Sequence, residues 1–564
     1  MPGCRGARTV RARDVGAHFL KGIDVYRSEA SPGSAARPDE AGSSGERTRM
    51  GRALGKLVVG NVLASAATRF SDAPAFYCSG TGRRFTFRET NERANRLARA
   101  LTGLGLGKGD VVALLLSNRA EIVEAYFALA RTGVIGLPLN YRLAAGEMVQ
   151  LVQAMGATAL IVEGRFGEQA RRVCREVAGL KHVVAVGGGD LGIGADYEAF
   201  LSAAPPDMPA TDIGENDPFY FALTSGTTGL PKSYLLTHYN NCVVGFVFPA
   251  FDMTRRDVVM TVFPIFGRVG FAWVMASLLY GVPNVLANFE PDDVLDLIAA
   301  ERVTIINVVP TMAAMMLPAQ AAAPRDLRSL RALVFAGAVL SASIREESGA
   351  KLCRGIYEYY GMNELGALVV SDPADRVRRR DSVGRPIPFS EVRIVDEAGR
   401  DLRPNALGEV LGRSPMSATA YCDAPEQSAG TFRDGWLHTG DLGYLDDDGY
   451  LYIRGRKKDM IVSGGQNVYA AEVEEVILRC PGVAECAVFG LPDEVWGERV
   501  TSAVVPAPAA DLTAAGVADF CRRHLAGFKI PKDIILHAEA LPRTSNGKIQ
   551  KFLLVERFAR PPGG

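Results

Sequence analysis

An excess of charge of either sign is missing from this chain, because 63 lysines and arginines are matched by 63 aspartates and glutamates. A nucleic-acid partner normally leaves a basic surplus, so that class of function is not indicated. Paired cysteines are missing too: nine are scattered between Cys4 and Cys521 with no CxxC spacing and an odd total. This speaks against a disulfide framework and for a reduced, cytoplasmic protein whose cysteines serve as small apolar residues. The six histidines show no helical pairing of the kind that holds zinc. Long hydrophobic runs are also absent, since Val111 to Leu116 and its like stop within a few residues. A helix crossing a bilayer needs about 20 apolar residues, so any membrane contact is expected to be peripheral.

What is present is a 564-residue chain, 48% hydrophobic and 22% charged, enough for two or more domains around large cores. Residues 1–50 are the exception. Rich in Arg, Ala, Gly, Ser and Pro, they offer too little apolar surface to offset the entropy of ordering, and a disordered tail is expected there. The early arginines leave an organelle-targeting reading open, and Met50 is an alternative start.

From Leu57 the texture becomes globular. Phe85-Thr86-Phe87 reads as a strand, and Ala94, Leu97, Ala98 and Leu101 recur at helical spacing. Val111–Leu116 reads as a buried strand, followed by an amphipathic helix through Ile122, Tyr126 and Leu129. Gly136–Leu139 and Ala159–Val162 repeat the strand theme. Strands alternating with helices predict a mostly parallel α/β sheet. Beyond Lys458 the pattern changes to a small α+β unit, with helix stripes at Val473, Val476, Ile477 and at Val517, Phe520, Cys521, Leu525.

The chemistry centres on Thr224-Ser225-Gly226-Thr227-Thr228-Gly229-Leu230-Pro231-Lys232, which follows the apolar run Phe219–Leu223. Gly226 and Gly229 permit a tight turn with converging backbone N–H groups, the hydroxyls add donors, and Lys232 supplies charge. Such a turn can hold a polyphosphate. It is not the GxxxxGK[ST] loop, because Pro231 stands where that pattern has glycine. Taken alone, its Ser/Thr/Gly composition favours a flexible surface turn between two strands.

Other segments add weight by their order. Thr237 is a candidate N-cap for a helix carrying His238 and Asn241. Trp436–Gly443 places Asp441 in a glycine-rich turn, where it either caps the turn or accepts hydrogen bonds from a ribose. Leu541–Ile549 sets Lys548 on a turn.

Together TSGTTGLPK (224–232), YGMNE (360–364), HTGDLG (438–443), GRKKDMIVSGGQNV (455–468) and LPRTSNGK (541–548) resemble the adenylate-forming superfamily, specifically its AMP-forming acyl-CoA synthetases and ligases. The resemblance runs from about Leu57 to about Leu554. It implies a tail at 1–50, a large AMP-binding domain of α/β subdomains at 51–457 and a mobile α+β lid at 458–564, hinged at Lys458. It implies ATP, Mg²⁺ and coenzyme A, and two half-reactions: a carboxylate attacks the α-phosphorus of ATP to give acyl-AMP and pyrophosphate, then the CoA thiol displaces AMP. Both steps need charge stabilisation more than a protein nucleophile.

By the same resemblance, Thr224 to Lys232 hold the β- and γ-phosphates, Tyr360 lies against adenine, and Gly337 and Ala338 form the other wall. Glu364 holds Mg²⁺, Asp441 binds the ribose hydroxyls with help from Arg456, and Lys548 bridges the carboxylate and the α-phosphate. The Gly465 region serves the CoA step after the lid has turned.

Several departures bear on substrate. Asn363 replaces the usual threonine near the α-phosphate, Gly267 replaces a common histidine, and Ser233 and Ala470 replace glycine and proline. No aspartate stands where amino-acid-activating relatives carry one. Gly361 takes the place of the tryptophan that closes the pocket of acetate-specific relatives. Phe266, Val269, Phe271, Val308, Val309 and Met362 suggest an apolar lining, hence a fatty, alicyclic or aromatic acid larger than acetate, although each is equally a core residue. The leading reading is an acyl-CoA ligase. The alternatives are transfer to a carrier protein and nucleotide binding without catalysis.

Overall fold

The computed structural model describes residues 56–187, 192–224, 232–507, 510–543 and 549–559. The tail expected at 1–50 lies outside them, as do Ser225 to Pro231 of the glycine-rich loop and Thr544 to Lys548. Two large sheets dominate the part before residue 390. In the first, the strands Ala195–Asp196, His182–Val186, Ala159–Glu163, Val111–Leu115, Ile135–Pro138 and Pro218–Thr224 lie side by side in parallel, and Lys232–Thr237 closes the edge antiparallel. The second has nine strands, with Asn284–Leu286, Val259–Thr261, Ile305–Val308, Ala332–Phe335 and Ile356–Met362 parallel at its centre. Their continuous apolar sequences are those of strands covered on both faces.

The helix Ala120–Thr132 lies between these layers, and all thirteen of its residues are buried. The amphipathic helix read from Ile122, Tyr126 and Leu129 is thus a sandwiched one. Its polar side faces protein: Glu124 takes a 2.7 Å contact from the Arg93 guanidinium and another of 2.7 Å from the Tyr197 hydroxyl. Phe87 also differs from expectation. The strand ends at Thr86, whose hydroxyl accepts from the Glu89 N–H while the Glu89 carboxylate accepts from the Thr86 N–H, and Phe87 opens the helix Phe87–Gly103. This reciprocal cap overrides the β-propensity of the two phenylalanines.

A third sheet is antiparallel and carries Glu391–Val395, Gly408–Arg413, Trp436–Leu445 and Leu451–Arg456. Trp436–Leu445, expected as a glycine-rich turn, is a ten-residue strand. Leu437, Thr439, Asp441 and Gly443 alternate inward along it, and Gly440 takes φ +67° without ending it. A fourth sheet begins at Met460 and joins Met460–Ser463, Gln466–Tyr469, Val483–Asp493, Gly497–Pro506 and Asp533–Leu536, with helices Ala470–Leu478 and Ala514–His524 packed on it. The large α/β portion followed by a small α+β portion is the expected architecture.

Candidate active site

A cavity of about 530 Å³ opens among residues carried by the first three sheets and reaches Lys458, in the turn before the fourth. One end is polar and carries charge. Lys232 enters it from the edge strand Lys232–Thr237, paired in register with Thr224 so that the two flank the glycine-rich loop. Ser225, Gly226, Thr227, Thr228 and Gly229 of that loop lie outside the described residues. The Lys232 ammonium sits 5.0 Å from the centre of the Tyr421 ring, and the Tyr421 hydroxyl donates to Glu364 Oε1 at 2.8 Å. Glu364, buried, holds its backbone place by accepting from the Ala418 N–H at 2.7 Å. Burial, then the neighbouring carboxylate, raises the Tyr421 phenol, which keeps it a donor.

A second group orients Asp441. Its position on the strand Trp436–Leu445 faces Arg456 across the sheet. Asp441 Oδ2 accepts from the Tyr360 hydroxyl at 2.6 Å, and Oδ1 lies 2.7 Å from Arg456 Nε. Below it Thr439 Oγ1 accepts from the Asp441 N–H at 3.0 Å and donates to the Val410 carbonyl at 2.7 Å. Burial and the adjacent carboxylate raise Tyr360 well above a phenol's ordinary value. Charge-assisted contacts of this length fix a carboxylate firmly.

Beside these, Glu409 approaches His438 Nδ1 at 3.5 Å and Lys457 Nζ at 3.3 Å, and Lys458 reaches the rim from the 3₁₀ turn Lys457–Asp459. Desolvation and the Arg433 charge depress His438, so its imidazole is neutral at pH 7. Gly337, at φ +84°, lines the cavity with Ala336, and Val309 lies behind it. Ala338 is exposed next to it, outside the lining.

The other end is apolar. The helix Arg268–Tyr280 turns Arg268, Val269, Ala272 and Trp273 toward the cavity, and the strand Ile356–Met362 contributes Tyr359, Gly361 and Met362. Gly361 has no room for a side chain, because a Cβ there would stand 2.0 Å from the Gly366 carbonyl oxygen across the hairpin. Arg268 donates to the backbone carbonyls of Asn363 and Met416, tying that hairpin to the loop before Tyr421.

The sequence-derived residues divide accordingly. Lys232, Gly337, Gly361, Met362, Asn363, Glu364, Val269, Arg456 and Lys458 come to one cavity, with Tyr360 and Asp441 behind its wall. Phe266 instead packs edge-on against Tyr141, 5.2 Å between centroids, and Gly267 caps the helix that starts at Arg268. Phe271 faces the opposite side of that helix, 4.4 Å from Tyr126, and Val308 points into a core while its neighbour Asn307 turns toward the cavity side. Gly465 sits away from the cavity at the tip of the hairpin joining Met460–Ser463 to Gln466–Tyr469, where Gly464 and Gly465 take φ +58° and +75°. Two successive positive φ values are the type I′ pattern that glycine allows. Lys548 lies outside the described residues.

Sequence reasoning passed over Val244, Val247, Phe248, Phe251, Trp273 and Tyr359 of the apolar wall, and Arg268 and Tyr421 of the polar one. The run Val243–Phe251 carried a signal, being apolar yet too short and proline-interrupted for a core helix; it forms two 3₁₀ turns.

Both the sequence and the fold are similar to those of known proteins. The model of the AMP-binding enzyme family matches residues 63–422, and that of the AMP-binding enzyme C-terminal domain matches residues 472–548. The chain is 34% identical over 507 residues to the long-chain-fatty-acid–CoA ligase FadD13 of Mycobacterium tuberculosis, covering 89% of this chain and 98% of that protein. It is 34% identical over 496 residues to the fatty acid–[acyl-carrier-protein] ligase ScoC of Streptomyces coeruleorubidus, covering 86% and 93%. The crystal structure of the anthranilate CoA ligase AuaEII with anthranoyl-AMP superposes with a TM-score of 0.82 at 27% identity, over 89% of this chain and 97% of the other.

Proposed function

The chain belongs to the AMP-binding enzyme family; from that premise we propose that it is a carboxylate–CoA ligase that activates a fatty, alicyclic or aromatic acid larger than acetate with ATP and passes the acyl group to coenzyme A. The observation that carries this reading is the single cavity with two characters: an apolar chamber walled by Val269, Gly361 and Met362, ending at Lys232, Glu364 and Arg456. A carboxylate entering apolar end first stops where the cations and Glu364 are.

In this reading, the loop Thr224 to Gly229 and Lys232 grip the β- and γ-phosphates, which leave as pyrophosphate. Asp441, held by Tyr360 and Arg456, accepts the ribose hydroxyls, and the Tyr360 ring and the backbone at Gly337 and Ala338 take the adenine. Asn363 offers its amide to the α-phosphate. Glu364 suits Mg²⁺: it is a buried carboxylate with one oxygen engaged by Tyr421, and Mg²⁺ is commonly held by one or two carboxylates plus substrate phosphates. Mg²⁺ bound there supplies neutralisation of phosphate charge. Lys548 brings the charge that stabilises the attack on the α-phosphorus. The domain starting at residue 458 then turns about Lys458 and carries the Gly465 hairpin toward the site for the CoA step.

No described helix is long and apolar enough to cross a membrane. The eight described cysteines are all free thiols, which supports placing the enzyme in a reducing compartment, the cytoplasm. The identity to ScoC supports a second reading, transfer to a carrier-protein thiol rather than to CoA. A pyrophosphate-release screen over a panel of carboxylic acids, with CoA, with a phosphopantetheinylated carrier or with neither, separates the two. Acid-dependent pyrophosphate accompanied by a CoA thioester is expected. Thioester on the carrier alone overturns the choice of CoA, and no acid-dependent pyrophosphate overturns both readings.

A further inference from the structure

The apolar chamber has a built floor. Trp273 Nε1 donates to Asn307 Oδ1 at 3.0 Å, and the Tyr359 hydroxyl donates to the same oxygen at 3.4 Å. Asn307 Nδ2 in turn donates to the Val334 carbonyl at 2.8 Å, which anchors the pair to the neighbouring strand. Phe251 lies stacked on Trp273, 5.8 Å between centroids at 15°, and tilted against Tyr359 at 6.2 Å. Phe248 meets Trp273 edge-on at 5.2 Å. Asn307, Phe251, Phe248 and Trp273 are each no more than 2% exposed, so the floor and the aromatic wall beside it are tightly packed. Tyr359 is half-buried, and it borders the cavity.

The two elements that carry these residues set the depth. On the strand Ile356–Met362, Gly361 and Tyr359 border the cavity two positions apart, with Asn363 in the turn just beyond the strand. Two strand steps of about 3.3 Å give about 6.6 Å between the α-carbons of Gly361 and Tyr359. On the helix, Arg268 stands at the charged end and Trp273 at the floor, five residues of about 1.5 Å rise, or about 7.5 Å. An extended alkyl chain advances about 1.25 Å per C–C bond, so the fifteen C–C bonds of a sixteen-carbon acid need about 19 Å. The chamber is shorter than that even before the Tyr359 ring takes its share. The aromatic rings of its floor, Trp273 and Tyr359 among them, suit a ring.

We propose that Tyr359, locked with Trp273 through Asn307, closes the acyl chamber and restricts this ligase to compact acids, a ring with a short linker or a short chain, excluding long-chain fatty acids. This rests on the ligase reading above and adds a residue that determines specificity. A side chain that fills space discriminates by size, and rejection of the oversized acid grows with each methylene that cannot be seated.

The test is acid-dependent pyrophosphate release by the full chain with cyclohexanecarboxylic, 3-phenylpropanoic and indole-3-acetic acids and with straight-chain acids of two-carbon steps up to palmitate. For the wild type, kcat/KM for the best ring acid should exceed that for palmitate by about 100-fold or more, with the straight-chain series falling beyond roughly ten carbons. Tyr359→Ala should raise kcat/KM for dodecanoate by about 10-fold or more and leave KM for ATP unchanged, whereas Tyr359→Phe, which keeps the ring, should keep the cutoff. Wild-type activity on palmitate equal to that on ring acids overturns the proposal, as does a folded Tyr359→Ala enzyme with an unmoved chain-length profile. If Tyr359→Ala does not fold, the wild-type profile decides alone. Absence of pyrophosphate with every acid instead removes the ligase reading on which the proposal stands.

Discussion

The Asp441 carboxylate gathers two donors, the Tyr360 hydroxyl and Arg456 Nε, from two different sheets. Asp441→Asn keeps the shape and removes the charge, so KM for ATP should rise about 10-fold, equivalent to about 1.4 kcal/mol, while the melting temperature changes little. Steady-state titration of ATP at saturating acid checks it. Arg268 lines the same cavity. Its guanidinium donates to the backbone carbonyls of Asn363 and Met416. Arg268→Gln is expected to raise KM for the acid about 10-fold with ATP unaffected, because a cation at the mouth of an apolar chamber attracts the carboxylate. A fall in stability with both KM values unchanged would make it a purely structural clasp. Away from the site, His238 is buried, accepts from the Val59 N–H at 3.3 Å and stacks on Phe219. Burial holds its pKa down at about 4 against an ordinary 6.5. The unfolded chain therefore binds the proton first: the stability is fully present above pH 6.5 and falls by about 3 kcal/mol as pH drops through 4. Urea unfolding at pH 7 and 4.5 should show His238→Phe retaining about 2 kcal/mol more of its pH 7 stability than the wild type retains.

At the scale of elements, the hairpin of Ile356–Met362 with Gly366–Ser371 positions Tyr359, Tyr360, Met362 and Glu364 together. Its narrow point is Gly361, where a Cβ meets a backbone oxygen that cannot rotate away. Gly361→Ala should lower the unfolding free energy by about 2 kcal/mol or more and abolish adenylation, as read from the urea midpoint and pyrophosphate release. Lys232, Glu364, Asp441 and Arg456 were singled out through the motifs that carry the family resemblance, and the structure brings the first two and Arg456 to one cavity with Asp441 behind its wall. Trp273, Phe251 and Tyr359 were not singled out, since an aromatic facing a cavity and one facing a core read alike in one dimension. Alternation of buried residues in Trp436–Leu445 was obscured by Gly440 and Gly443, which look like turn residues. The cap at Thr86 was visible in its Glu89 partner but masked by the flanking phenylalanines. The parallel sheets were legible from their unbroken apolar runs; the neighbour of each strand, and hence which loops meet, was not.

At the scale of the whole molecule, the proposed reaction asks one chamber to serve two half-reactions with different charge requirements. The small sheet that begins at Met460 follows the turn Lys457–Asp459, which reaches the cavity rim through Lys458. Gly464 and Gly465, at a hairpin tip of that sheet, are not among the cavity's lining residues, and in the proposed mechanism a change of domain orientation carries them there. Replacing Lys548 with alanine tests this division of labour most directly. In the Lys548→Ala enzyme, acid-dependent ATP–pyrophosphate exchange should fall at least about 100-fold, while CoA thioester formation from preformed acyl-AMP stays within about 3-fold of wild type. Wild-type exchange, or equal loss of both half-reactions in a folded variant, would contradict it.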